Sequence, residues 1–197
     1  MRKVYLNHDG GVDDLVSLYL LLKMEDVELV GVGVIEADCY LVPAVEASKK
    51  IIHKFGSEKD KQLKVASSDS RPVNPFPKEW RMHAFTVDAL PILNEHKPIT
   101  VQDSPLKAHE DLIRALKESE EKVDLVFVGP LTDLARALDQ DPTIEENIGK
   151  LYWMGGTFLD MGNVEDPEHD GTAEWNVYWD PFAAKRVWKS GIQIELV

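Results

Sequence analysis

Short apolar runs alternate with amphipathic stretches along the chain, and the two differ in period. Val4-Tyr5-Leu6 and residues 27–35, rich in Val, Leu, Ile and Gly, lack regular polar alternation. That pattern fits strands buried on both faces. Residues 63–66, 124–128, 151–154 and 192–197 are further strand candidates. Between them, 12–23 reads as a helix that is apolar on most sides. Ala44, Ala47, Ile51, Ile52 and Phe55 recur near the helical period and stop at Gly56. Ser104-Pro105 is a helix-start signal, with Leu106, Leu112, Ile113 and Leu116 on one face. Two more helices are expected, one over 131–138 and one from Asp180-Pro181 to Lys189.

Strand–helix alternation of this kind predicts an α/β fold: an open, Rossmann-like, mostly parallel β-sheet with helices on both faces. In such sheets ligands sit at the carboxyl ends of strands. Residues 67–100 break the rhythm with Pro72, Pro75, Pro77, Pro91 and Pro98, and predict a long insertion or lid. No repeat, low-complexity tract or linker interrupts the chain, so a single α/β domain over 1–197 is expected.

Composition narrows the partners. The 35 acidic and 22 basic side chains give a formal net charge of −13. Such a surface repels phosphate backbones and anionic lipid, so neither nucleic acid nor membrane is an expected partner. It tolerates cations. Cys39 is the only cysteine, which excludes an intramolecular disulfide and an all-cysteine zinc site. With no signal-like start and no apolar run near the ~20 residues of a spanning helix, the expected compartment is the cytoplasm.

Candidate chemistry follows the strands. Asn7-His8-Asp9-Gly10-Gly11-Val12-Asp13-Asp14 links the first strand to the first helix. Three carboxylates so close would repel one another unless a cation gathered them, and Asp and Asn oxygens suit Ca²⁺ or Mg²⁺. The glycines let the backbone turn sharply, and the helix N-terminus adds partial positive charge. Taken alone, Asp13-Asp14 reads equally well as helix-start acids. The other stations are Val126-Phe127-Val128-Gly129-Pro130-Leu131-Thr132-Asp133-Leu134, then Met154-Gly155-Gly156-Thr157, Gly162-Asn163-Val164, Ala173-Glu174-Trp175-Asn176 and Asp180-Pro181.

In order and spacing these blocks resemble the inosine/uridine-preferring nucleoside hydrolase family, whose signature is Asp-x-Asp-x-Gly-x-Asp-Asp, with Asn7 here replacing the first Asp. The second block is similar to the family's Gly-Pro-Leu-Thr-Asn-Leu, with Asp133 in place of its Asn. The resemblance implies Ca²⁺-assisted hydrolysis of the N-glycosidic bond of ribonucleosides to free base and ribose, and a role in purine or pyrimidine salvage. It places calcium on Asp9, Asp14 and the carbonyl of Thr132, and makes Asp9 the base toward water. It puts Asp13 on the ribose hydroxyls, Asn163 and Glu174 on the 5′ side, and Asn176 on the lower hydroxyls. Met154, Asp38 and His83 border the substrate, though Asp38 follows Glu36-Ala37 where the family has Gly-Asn, and Ala84 follows His83 where it has Gly. His8, His53, His96, His109 and His169 receive no functional assignment, and of the five tryptophans only Trp80 and Trp175 are held open for base stacking. Asp at position 7 is expected to tighten the ion.

Family members continue past the position of Val197. The resemblance implies a further Asp ligand there and, in many members, a His beside the leaving base. The chain is therefore expected to be the N-terminal part of a longer fold. The rival expectation is a pseudoenzyme or fragment that binds nucleoside without turnover. A haloacid-dehalogenase-type phosphatase fails because its nucleophilic Asp is Asn7 here, and an amide cannot form the aspartyl-phosphate. Base preference and oligomeric state (dimer or tetramer) stay open.

Overall fold

The computed structural model describes residues 1–77, 81–95, 98–165 and 169–197. Seven strands form one parallel sheet in the order β4-β3-β2-β1-β5-β6-β7. They are β1 (Arg2–His8), β2 (Val27–Val34), β3 (Lys64–Ser67), β4 (Gln102–Asp103), β5 (Val123–Phe127), β6 (Ile148–Trp153) and β7 (Ile194–Leu196). The chain walks outward from β1 to β4, then returns to β5 on the other side of β1. Loops after β1 and β5 therefore diverge and leave a crevice at the carboxyl ends of the two central strands.

Helices cover both faces. α1 (Val12–Lys23) and α2 (Leu41–Phe55) lie on one; α3 (Ala108–Glu118), α4 (Thr132–Gln140) and α6 (Pro181–Trp188) lie on the other, with the short α5 (Trp175–Trp179) before α6. Although β1 is apolar throughout its middle, its residues divide between two cores. Val4 and Leu6 pack with α1 and α2, whereas Tyr5 packs with α3 and α4. Gly31 and Gly33 of β2 stand opposite Tyr5 and Asn7. A Cβ at Gly33 would lie 2.7 Å from Asn7 Nδ2, and one at Gly31 would strike the Tyr5 ring. The glycines in this strand thus make room for two large neighbours.

Three expectations need correction. α3 begins at Ala108 rather than at Pro105, because the Ser104 hydroxyl accepts from Leu106 N (3.2 Å) and closes a turn after β4. Glu110 then reaches back to Lys107 N at 3.0 Å and starts the helix. β4, two residues long, was invisible to periodicity. Within 67–100, short 3₁₀ turns at Met82–Phe85, Val87–Ala89 and Pro91–Asn94 bury Ala84, Val87 and Leu93 in the α1/α2 core, and Tyr40 N donates to Ala84 O. That part is a packed layer rather than a free lid. Among the described residues, no helix is long and apolar enough to cross a membrane.

Candidate active site

The loop after β1 is built around Asp14. From the third position of α1 its Oδ2 accepts from Gly11 N (3.0 Å) and Asp9 N (3.1 Å), folding the loop back on the helix start. Gly10 sits at φ +88°, in the left-handed region that glycine enters at no steric cost. A Cβ at Gly11 would lie 2.8 Å from Asp13 Oδ1 and 2.9 Å from Asp38 Oδ2, so a side chain here would push these carboxylates from their present positions. His8 braces the turn from below. Its Nδ1 accepts from Gly10 N, leaving the Nε2 proton to face the Ser48 hydroxyl at 3.0 Å, while burial lowers its pKa to about 4. His8 is neutral and structural.

Asp9 and Asp14 are both buried, at 3% and 2% exposure, and their carboxylates face each other closely enough to share a proton. Burial pushes Asp9 up to about 6, with Asp38 and Asp13 adding to the rise against its hydrogen bonds. Burial and the Asp9 charge push Asp14 up as well. Two buried carboxylates in contact are unfavourable without a proton or cation between them. Asp9 Oδ2 also accepts from Asp38 N (3.2 Å), and its side chain lies where a Cβ on Gly129 would come within 3.2 Å. Gly129 thus lets the loops after β1 and β5 touch.

These groups form one wall of an open cleft. Asp9, Asp13, Asp14 and Asp38 face Met154, Asn163, Glu174 and Asn176 across it. The structure thus brings together eight of the ten residues singled out from the sequence. The far wall is organised by α5. Glu174 caps that helix, accepting from Asn176 N (2.9 Å) and Val177 N (3.2 Å), and takes Gly156 N (2.8 Å) as well. Asn163 Oδ1 accepts from Trp175 N at 2.9 Å. Asn176 Nδ2 donates to Met154 O (2.7 Å) and Val128 O (3.2 Å), tying α5 to the ends of β5 and β6. Its Oδ1 is buried without a partner, as is Trp179 Nε1. An unmet acceptor and an unmet donor on cleft residues are costly unless a ligand supplies their complements.

Two expected residues do not line the cleft. Thr132 turns its hydroxyl to Asp180 Oδ2 (2.7 Å), joining the starts of α4 and α6, and Val128 takes the cleft position at the end of β5. His83 is exposed behind Asp38, where its ring, Asp38 and Cys39 offer ligand atoms within 4.8 Å of one another. Burial and the neighbouring carboxylates push the Cys39 thiol up, so it stays protonated. Asn7 also departs from expectation: its amide points to Asp133, on the opposite side of the sheet from α1 and α2.

Arg81, Trp175 and Trp179 complete the lining. Arg81 pairs with Asp38 Oδ1 and stacks 4.5 Å over the Phe76 ring, which meets Trp175 edge-on at 4.9 Å. No motif marked Arg81, because its partner is forty-three residues away in sequence. Trp80 lies outside the described residues.

Comparison with known proteins gives consistent matches. The family model described as inosine-uridine preferring nucleoside hydrolase matches residues 4–197. The structure is similar to that of an inosine-uridine preferring nucleoside hydrolase from Bacillus anthracis, with TM-score 0.95 and 61% identity over 100% of this chain and 64% of that one. A purine-preferring ribonucleoside hydrolase from Gardnerella vaginalis superposes with TM-score 0.76 at 25% identity, over 99% of this chain and 60% of that one. A probable uridine nucleosidase of Oryza sativa subsp. japonica is 26% identical over 196 residues, 100% of this chain and 56% of its own length. The chain thus spans little more than half the length of that curated relative.

Proposed function

Because this chain belongs to the inosine-uridine preferring nucleoside hydrolase family, we propose that its cleft binds a ribonucleoside and hydrolyses the N-glycosidic bond, releasing base and ribose. The observation that carries this reading is the buried Asp9–Asp14 pair opening on a cleft whose opposite wall holds the unmet Asn176 oxygen.

The donor set fits a hard divalent cation. Carboxylate oxygens of Asp9 and Asp14, with a backbone carbonyl from the turn after β5, make an all-oxygen group suited to Ca²⁺. Val128 is the better source of that carbonyl than Thr132, since it stands on the cleft wall. When bound, such an ion neutralises the facing carboxylates and acidifies a coordinated water.

The chain's own residues do the rest. Asp9 accepts the proton of the attacking water, and a base poised near neutrality is efficient in that role. Asp13, on the rim, and the Asn176 oxygen accept from ribose hydroxyls. Asn163 holds the 5′ side. Glu174, its carboxylate occupied by three backbone N–H groups, chiefly orients α5 and adds negative charge beside the sugar. Carboxylates around the cleft favour the oxocarbenium-like charge that develops as the base departs. Trp175 and Trp179 form the apolar side of the cradle.

The test is release of reducing sugar from inosine and from uridine by the native polypeptide, with and without chelator. Turnover that chelator removes, calcium restores, and Asp9→Asn lowers by roughly 10²-fold or more is the expected result. Calcium-dependent stabilisation with no ribose released would instead identify a nucleoside-binding module.

A further inference from the structure

We infer that Asn7 and Asp133 form a positioning latch that sets the spacing between the two loops of the proposed ion site; the inference rests on that reading of the site. Both side chains are fully buried. Asn7 lies two residues before Asp9, and Asp133 follows the turn that carries Val128 and Gly129. Asn7 grips this turn at both ends. Its backbone carbonyl accepts from Val128 N (3.1 Å), and its Nδ2 donates to Asp133 Oδ2 (3.1 Å). Ser68, just beyond β3, donates its hydroxyl to the other oxygen, Asp133 Oδ1, at 2.7 Å. One carboxylate therefore gathers the ends of β1 and β3 and the start of α4.

Neither Asn7 nor Asp133 lines the cleft, so the pair acts through its neighbours. The motifs carry the same message. Position 7 holds an amide where the signature has a carboxylate, and position 133 holds a carboxylate where the second block has an amide. The structure puts these two departures in contact. The pair sets one donor side chain against one carboxylate acceptor. Two carboxylates at this buried contact would repel, and an amide at position 133 would lose the charge-assisted acceptor that Asn7 and Ser68 share. Asn7 thus acts on the site through its contact with Asp133 rather than from the cleft wall.

The test is a four-member cycle: the parent chain, Asn7→Asp, Asp133→Asn, and both together. The readouts are the melting temperature and the binding of terbium, used as a calcium probe sensitised by the cleft tryptophans. Asn7→Asp should lower Tm by roughly 5–10 °C, or prevent accumulation of folded protein. It should also weaken terbium binding by roughly tenfold or more. Asp133→Asn alone should lower Tm, yet raise it when added to Asn7→Asp, and the double variant should regain terbium affinity. A double variant no more stable than Asn7→Asp, or one that recovers stability without affinity, overturns the latch. If the parent binds no terbium, the ion site fails and the positioning role with it. If the parent binds terbium but the Tm effects simply add, the latch alone fails.

Discussion

Asp9 is held by three separate constraints: its own backbone N–H on Asp14, its Oδ2 on Asp38 N, and the bare Cα of Gly129 against its side chain. This fixes the carboxylate but leaves it beside another, and the consequence is a pH dependence with a definite sign. The pKa of folded Asp9 is raised from 3.8 to about 6 without an ion. In ion-free protein its contribution to stability is therefore fully present below pH ~3.8 and is lost as pH rises through about 6. A calcium ion held by this pair, as proposed, would reverse this by favouring the charged form. The calcium-induced rise in Tm should accordingly be small at pH 5 and grow towards pH 7.5, as read by thermal melts with and without the ion. A calcium shift independent of pH would argue that Asp9 is not a ligand. His8 is common to both states and cancels in the difference.

Among the elements, the short α5 leans heavily on its cap. Five residues are too few to be helical alone, and Glu174 supplies the cap that satisfies two of the orphan N–H groups. Glu174→Ala should cost about 1 kcal/mol of stability. Its larger effect should be on the cleft, because Asn176, Trp175 and Trp179 all hang from that helix. We expect KM to rise by roughly tenfold or more, with altered tryptophan fluorescence, and a smaller change in kcat. An equal loss confined to kcat would show instead that the Glu174 charge acts on the transition state. The same logic explains why no helix is predicted over 175–179 from sequence: its helicity comes from a cap, not from an apolar period.

For the whole molecule, sheet order predicts where the fold opens first. β1 is paired on both sides and buried between two helix layers, while the two-residue β4 pairs only with β3 among the described residues. Amide exchange should therefore be slowest at Leu6 and Val126 and fast at Gln102–Asp103. Uniform protection across the sheet would contradict this ordering. Much of this architecture was legible beforehand, because a doubly wound sheet writes itself as apolar strands and amphipathic helices in alternation, and because loop motifs sit at fixed offsets from those strands. The sequence by itself determined the parallel α/β fold, the acidic loop after β1, and eight of the residues that line the cleft. Local pattern can do this because those residues follow strand ends, and strand ends share one edge of the sheet. Only the tertiary structure decided which way the remaining side chains turn: Asn7 towards Asp133, Thr132 towards Asp180, Arg81 towards Asp38. Each of those directions depends on a partner far away in sequence, placed by packing between layers, and no window along the chain contains both members of the pair.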